Sequence, residues 1–191
     1  HVDKRVGNII QTLKDNGLYE NTIIIFAGDN GLAVGQHGLM GKQNVYEHSV
    51  GVPLMIKAAA QHTGKKTADL CYLIDVFPTL CDMLQLPVPQ SVDGISLLSS
   101  LDGKEPVRDY LYYSYMDNQR GISDGTWKLI EYHVNGKRTT QLFNLKNDPW
   151  ERNDLSGQKK YEKTIQRLRE KMAEEQKRTN DTSVFWNNFS Y

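Results

Sequence analysis

Hydrophobic side chains recur at helical spacing at the start of the chain and then form an unbroken apolar run. The spacing predicts an amphipathic helix over roughly residues 2–15. Its apolar stripe comprises Val2, Val6, Ile9, Ile10 and Leu13. Asn16-Gly17 is a predicted helix stop, because glycine accepts the left-handed backbone conformation. Residues 22–27 are apolar and mostly β-branched, which predicts a strand buried on both faces, as in a parallel sheet.

A second strand and a second helix follow further along the chain. Residues 52–56 predict a short strand, and Asp75 is the predicted N-cap of a helix over 75–84. Cys71 and Cys81 are expected to pack as small apolar residues rather than to form a reactive pair. Helices that alternate with buried strands predict an α/β fold that contains part of a parallel sheet.

The pattern changes near Val107, where short strand-like segments replace the alternation of helix and strand. These segments are 110–115, 121–123, 127–132 and 140–145. Asn135-Gly136 is a strong hairpin signal between the last two, so we predict a small antiparallel sheet. A helix over about 158–178 is expected to dock on this sheet through a narrow apolar stripe. The stripe comprises Tyr161, Ile165, Leu168 and Met172.

We therefore predict two domains. Residues 1–105 would form part of an α/β domain, and residues 106–191 would form the small antiparallel sheet with its packed helix. Residues 58–66 are predicted to be a polar surface connection. Two tripeptides, 180–182 and 188–190, match the glycosylation pattern, which is common by chance.

Composition narrows the possible functions. The 191 residues contain 23 Lys plus Arg and 23 Asp plus Glu, so no overall field attracts nucleic acid or an anionic membrane. No apolar run is long enough to span a bilayer, and two cysteines are too few for a disulfide scaffold. Because His1 leads directly into a helical pattern, we expect the C-terminal part of a longer protein.

The segment 28–42 carries the candidate chemistry. Asp29 and Asn30 directly follow the predicted strand 22–27, where ligand sites of open α/β sheets usually lie. Their oxygens suit Ca²⁺ or Mg²⁺ better than Zn²⁺. Two residues are too few for Ca²⁺, which takes six to eight oxygens. Asp-Asn-Gly is also a common turn former, so from spacing alone the turn interpretation stays open.

Lys42 and His37 lie further along the same glycine-rich segment. A lysine that reaches back towards a metal would bind an oxyanion substrate and would offset charge on a departing oxygen. His37 could exchange a proton or bond a substrate hydroxyl, although a lone loop histidine often does neither. Everything here depends on the segment folding back, which closely spaced glycines permit.

Several motifs together resemble the type I sulfatases of the alkaline phosphatase superfamily. The segments TIIIFAGDNG, GQHGLMGK and YEHSVGVPLMI, within 22–56, resemble the second signature region of that family. Further motifs occur in the same order as in the family: DVFPTL, DGISL, WKLI and QLFNLKNDPWE. The resemblance covers most of the chain. It implies an alkaline-phosphatase-like fold, with part of the large, mostly parallel sheet followed by the small C-terminal sheet.

The resemblance also implies an activity and a set of site residues. Sulfatases hydrolyse a sulfate ester to an alcohol and inorganic sulfate with bound Ca²⁺. Asp29 and Asn30 would be metal ligands, Lys42 would bind sulfate and stabilise the leaving group, and His37 would lie near the substrate. The family's formylglycine motif, Cys/Ser-x-Pro/Ala-x-Arg, is absent here. An N-terminal segment of the protein is therefore the expected partner, the chain alone is expected to be inactive, and a periplasmic, secreted or lysosomal location is implied.

Two departures from the family pattern affect substrate inferences. Leu32 stands where many members carry an acidic residue, and Gly51 where many carry arginine. Two alternatives to a sulfatase remain. One is a phosphodiesterase or phosphonate monoester hydrolase of the same superfamily, and the other is a non-catalytic module whose small sheet and terminal helix mediate association.

Overall fold

A computed structural model describes residues 1–58, 64 and 66–183 of this chain. Most of the predicted connection 58–66 and the whole tripeptide 188–190 lie outside these residues. The described helices are α1 (Val2–Asp15), α2 (Glu47–Val50), α3 (Val76–Met83), α4 (Leu98–Leu101) and α5 (Glu162–Arg178). The described strands are β1 (Ile24–Ala27), β2 (Ala33–Val34), β3 (Met40–Gly41), β4 (Leu54–Lys57), β5 (Leu111–Tyr115), β6 (Gln119–Ser123), β7 (Trp127–Val134) and β8 (Lys137–Asn144).

The chain divides into two compact units by its internal contacts. The first contains the described residues of His1–Gly28, Pro53–Thr67 and Leu73–Glu105. The second contains the described residues of Asp29–Val52, Ala68–Tyr72 and Pro106–Tyr191. Residues 29–42 of the segment with the candidate chemistry therefore belong to the same unit as the small sheet. The predicted domains 1–105 and 106–191 stay a prediction.

In the first unit, α1 has the predicted bounds and ends before Gly17, whose φ of +69° is left-handed. Strand β1 pairs with β4, and the pairing is antiparallel. All four β1 residues are at least partly exposed. The expectation of a strand buried on both faces of a parallel sheet is therefore not met within the described residues. The apolar run specified a strand, but the direction of its partner depends on the path of the chain.

The helix α3 also differs from its prediction at the N-cap. Asp75 precedes the helix as predicted, but its carboxylate does not cap it. Instead, Asp75 is fully buried and Oδ1 accepts from the Ile95 N–H at 2.8 Å. Thr79 Oγ1 accepts from the Leu97 N–H at 2.8 Å. These contacts tie the segment before α4 to α3, and only the tertiary path of that segment could reveal them. Cys71 and Cys81 do not form a disulfide bond with each other.

The second unit contains the predicted antiparallel sheet, which is four-stranded with the order β5-β6-β7-β8. The predicted hairpin joins β7 to β8 at Asn135 and Gly136, whose φ angles of +52° and +75° are those of a type I′ turn. The helix α5 packs on one face of this sheet through the predicted stripe. The core between them comprises Tyr112, Ile122, Leu129, Leu142, Ile165, Leu168 and Met172.

Buried ion pairs reinforce this packing. Arg120, which is 3% exposed, is hydrogen-bonded to both carboxylate oxygens of Asp181 at 2.6 and 3.0 Å. Arg169 of α5 donates to the buried Glu131 of β7 at 2.7 Å. Arg120 and Glu131 thus each have a partner of opposite sign, as the burial of a charge requires. Along the described part of the chain, no helix is both long and apolar enough to cross a bilayer.

The packing of α5 on the sheet predicts the effect of removing its central side chain. Leu168 is fully buried, so Leu168→Ala should lower the free energy of unfolding by about 2–5 kcal/mol. Urea denaturation followed by circular dichroism would measure the change. Lys163→Ala, on the exposed side of α5, should change it by less than about 0.5 kcal/mol. Equal losses in the two variants would contradict this account of the core.

Candidate functional site

The loop after β1 holds Asp29 and Asn30 in a tight turn. The Asn30 N–H donates to Asp29 Oδ1 at 2.9 Å, and Asn30 Nδ2 donates to the Gly31 carbonyl at 2.8 Å. Both bonds join adjacent residues, whereas the side chain in an Asx turn bonds the residue two positions on. These bonds order both side chains, and the turn and metal-ligand interpretations both stay open.

Lys42 returns to this turn. Its Nζ donates to Asn30 Oδ1 at 2.9 Å, although the two residues lie 12 positions apart. The hairpin of β2 and β3 brings it back, with Ala33 opposite Gly41. Ala33 is fully buried and anchors the hairpin, while Lys42 stays exposed. A carboxylate, an amide and an ammonium group thus lie together on one loop.

Glycine makes the return path possible. Gly35 and Gly41 have φ angles of +104° and +106°, a backbone region that L side chains rarely adopt. A Cβ on Gly41 would also lie 2.9 Å from Gln43 Oε1. The closely spaced glycines therefore allow the segment to fold back, as the sequence predicted.

His37 lies in the hairpin but contacts other parts of the same unit. Its ring stacks on Tyr46, with centroids 3.9 Å apart and planes 5° from parallel. Its Nε2 lies 3.2 Å from the carbonyl oxygen of Trp150, in the segment after β8. The backbone of His37 is left-handed, with a φ of +53°. These contacts fix the position of His37 beside the loop. They do not test whether His37 binds a substrate, so that role stays a prediction.

A second histidine, His48, extends this stack of rings. Its ring centroid lies 5.7 Å from Tyr46 and 5.5 Å from His37. Burial, followed by the nearby His37 and Lys128, lowers the pKa of His48 below its ordinary value. The neutral ring is therefore favoured, in keeping with its packing between aromatic neighbours.

The short helix α2 packs against the loop at Gly31. The Gly31 N–H donates to the Ser49 carbonyl at 2.9 Å. A Cβ on Gly31 would lie 2.0 Å from the carbonyl oxygen of His48, so no other residue fits without moving the backbone. The position of Asn30, the preceding residue, therefore depends on where α2 lies.

The position of α2 is itself fixed by a buried lysine. Lys128 of β7 is fully buried, and its Nζ lies 2.8 Å from Glu47 Oε1 and 3.0 Å from Glu151 Oε1. Glu151 Oε2 also accepts from the Glu47 N–H at 2.6 Å. Burial raises the pKa of Glu151, against the opposing effects of Lys128 and of that N–H. Hereafter Glu47, Lys128 and Glu151 are called the buried lysine cluster.

Sequence reasoning missed this cluster and the ring stack. The segment 43–50 gave no clear periodicity, although Val45, Tyr46 and Ser49 are buried. One signal was present: Lys128 lies inside an apolar strand, where a charge requires a partner. Its partners come from 81 residues before it and from beyond β8, so sequence could not identify them.

The side-chain oxygens of Asp29 and Asn30 are donors of the type that a hard divalent cation binds, but two residues are too few to hold one. Carboxylate and amide oxygens are what Ca²⁺ and Mg²⁺ prefer. The described ranges contain no group of three or more His, Cys, Asp or Glu that could hold a metal ion. Asp29 and Asn30 therefore fit as part of such a site, whose other ligands would come from other residues of the complete protein.

Comparisons with known proteins identify sulfatases as relatives of this chain. Residues 35–178 match the family model described as N-sulphoglucosamine sulphohydrolase, C-terminal. The N-acetylglucosamine-6-O-sulfatase of Bacteroides thetaiotaomicron is 30% identical to this chain, in an alignment that covers 94% of this chain and 34% of that protein. The chain spans about a third of the length of the curated relatives it matches.

Solved structures show the same relationship. One, a complex with its substrate D-glucosamine-2-N,6-O-disulfate, has a TM-score of 0.79 and 29% identity, and covers 95% of this chain and 39% of that one. The phosphonate monoester hydrolase of Agrobacterium radiobacter has a TM-score of 0.76 and 27% identity, and covers 91% of this chain and 38% of that one. The family model matches well over half of the chain, and so the chain belongs to the sulfatase family that this C-terminal model describes.

Proposed function

We propose that this chain is the C-terminal part of a calcium-dependent sulfatase that hydrolyses sulfate esters of sugars or aryl alcohols. The observation that carries the proposal is the 2.9 Å contact between Lys42 Nζ and Asn30 Oδ1, beside Asp29. It places a cation next to two hard oxygen donors in a chain of the sulfatase family. A phosphate or sulfate group needs that combination, because its negative charge must be neutralised from more than one side.

The residues of the loop would divide the work. Asp29 and Asn30 would hold Ca²⁺ together with ligands from elsewhere in the protein. When bound, the ion would polarise the sulfate group and neutralise part of its charge. A formylglycine on a segment outside this chain would be the nucleophile, and the compartment would be periplasmic, secreted or lysosomal.

Lys42 would act on the sulfate directly. An ammonium group has three donors, so its bond to Asn30 leaves capacity for two further acceptors. One would be a sulfate oxygen, and the other would be the ester oxygen that departs as the sulfur–oxygen bond breaks. Charge grows on that oxygen in the transition state, so a fixed cation there accelerates the reaction. His37 would bind a hydroxyl of the substrate beside it.

A phosphonate monoester hydrolase is the second candidate, because the Agrobacterium enzyme has a similar structure at 27% identity. Asn30 supports a calcium enzyme over a zinc-binding phosphatase, since an amide oxygen suits calcium while zinc favours imidazole, but it does not separate a sulfatase from a phosphonate hydrolase. The complete protein should be assayed with aryl sulfate, glucosamine 6-sulfate and aryl phosphonate esters. A preference for the phosphonate ester would replace the first candidate with the second.

Replacing Lys42 tests its proposed role. Lys42→Met keeps the length of the side chain but removes the charge, and kcat of the complete protein should fall by about 100-fold or more. Steady-state kinetics on a sulfate ester would measure this. Lys146→Met, at an exposed lysine of the same unit, is the matched control and should keep kcat within about twofold. An unchanged kcat in Lys42→Met would contradict the role assigned to Lys42.

Replacing Asp29 tests the proposed metal site. Asp29→Asn keeps the shape but removes one negative charge, so the calcium concentration for half-maximal activity should rise by about tenfold or more. Calcium titration after treatment with a chelator would measure it, with the exposed Asp82→Asn as control. A wild-type activity that resists the chelator would exclude a calcium-dependent mechanism.

A further inference from the structure

The buried lysine cluster is unusual because it encloses a charge that no obvious stability requirement demands. Lys128 is fully buried, and Glu151 is almost so, with a side chain 1% exposed. A buried ion pair often stabilises no more than apolar residues of the same volume would. The cluster therefore calls for a different explanation, and its contacts lead towards the candidate site.

The first contacts fix the start of α2. Glu47 is the first residue of that helix, and its carboxylate lies 2.8 Å from Lys128 Nζ. Its backbone N–H donates to Glu151 Oε2 at 2.6 Å. Both its side chain and its main chain are thus held by the cluster. A four-residue helix has little stability of its own, so its position depends on such contacts.

The next contacts join α2 to the loop. His48 and Ser49, the residues after Glu47, present carbonyl groups to Gly31. One accepts the Gly31 N–H, and the other lies where a Gly31 side chain would be. Asn30 Nδ2 bonds the Gly31 carbonyl, and Asn30 Oδ1 accepts from Lys42. An unbroken series of contacts therefore connects Lys128 with the group that would bind sulfate.

We propose that Lys128 is a positioning residue for the loop: by fixing α2 through Glu47, it sets where Gly31, Asn30 and the ammonium group of Lys42 lie. The catalytic consequence rests on the proposed function above, while the structural consequence does not. Small displacements of ligand and anion-binding groups are costly, and changes in the residues that orient metal ligands reduce metal affinity or activity by about 10–100-fold.

A second buried ion pair in the same unit supplies the matched control. Arg120 is 3% exposed and bonds both carboxylate oxygens of Asp181. It also lies in the small sheet, on β6, and its loss would leave the partly buried Asp181 carboxylate uncompensated. Arg120 donates to the Asp181 carboxylate and to the Met116 and Gln119 carbonyls, and none of these residues belongs to the loop or to α2.

The experiment compares Lys128→Met with Arg120→Met in the complete protein. Hydrogen exchange at the Gly31 amide should accelerate by about tenfold or more in Lys128→Met, beyond any change in global unfolding. Calorimetric titration should show a calcium dissociation constant raised by about tenfold. Arg120→Met should leave the exchange rate at Gly31 and the calcium dissociation constant within about twofold of wild type, after correction for global stability. Glu47→Gln keeps the shape of the side chain and leaves Lys128 paired with Glu151. It should raise the exchange rate and the dissociation constant by less than Lys128→Met does.

The outcomes are distinguishable. Equal exchange at Gly31 in Lys128→Met and wild type overturns the inference, as does an equal effect of Arg120→Met. If Lys128→Met does not fold, Glu47→Gln decides by the same two measurements. A wild-type protein that neither binds calcium nor hydrolyses a sulfate ester overturns the proposed function, and the Gly31 amide then decides the positioning role alone.

Discussion

The burial of one lysine organises the second unit. A charge in an apolar sheet is tolerable only with partners, and Lys128 obtains them from two distant segments of the chain. Glu47 comes from the start of α2, and Glu151 from the segment that follows β8. The need to compensate this charge therefore brings the short helix, the small sheet and the segment after it together. Glu151 adopts a left-handed backbone, with a φ of +55°, to reach that position.

The loop inherits its shape from this arrangement. The Gly31 backbone approaches α2 so closely that a Cβ would overlap the His48 carbonyl. On the other side of the hairpin, His37 is held by its stack on Tyr46, and the Tyr46 hydroxyl donates to Gln141 of β8 at 2.7 Å. The small C-terminal sheet is thus a support for the candidate site as well as a separate element of the fold. That support explains how an exposed loop can hold an ammonium group against an amide oxygen.

The family match and the geometry of the site support different conclusions, one about family membership and the other about activity. The match over 35–178 shows that the chain is a member of the sulfatase family. The chain spans about a third of the length of its curated relatives, so the activity of the whole protein is a proposal. The geometry supports it through a loop that offers two oxygen donors and one cation. A divalent ion would need more donors than this loop offers, so the proposed chemistry would also need residues outside the loop.

The sequence by itself determined the elements whose signals are local. Helical spacing gave α1 and the stripe of α5, Asn135-Gly136 gave the hairpin of the small sheet, and the motifs of 22–56 indicated the family. Only the tertiary structure decided the antiparallel pairing of β1 with β4, the contact of Asp75 with Ile95, and the partners of Lys128. The physical reason is the range of the interactions: periodicity and turn preference act within a few residues, whereas compensation of buried polar groups depends on segments that the chain path brings together.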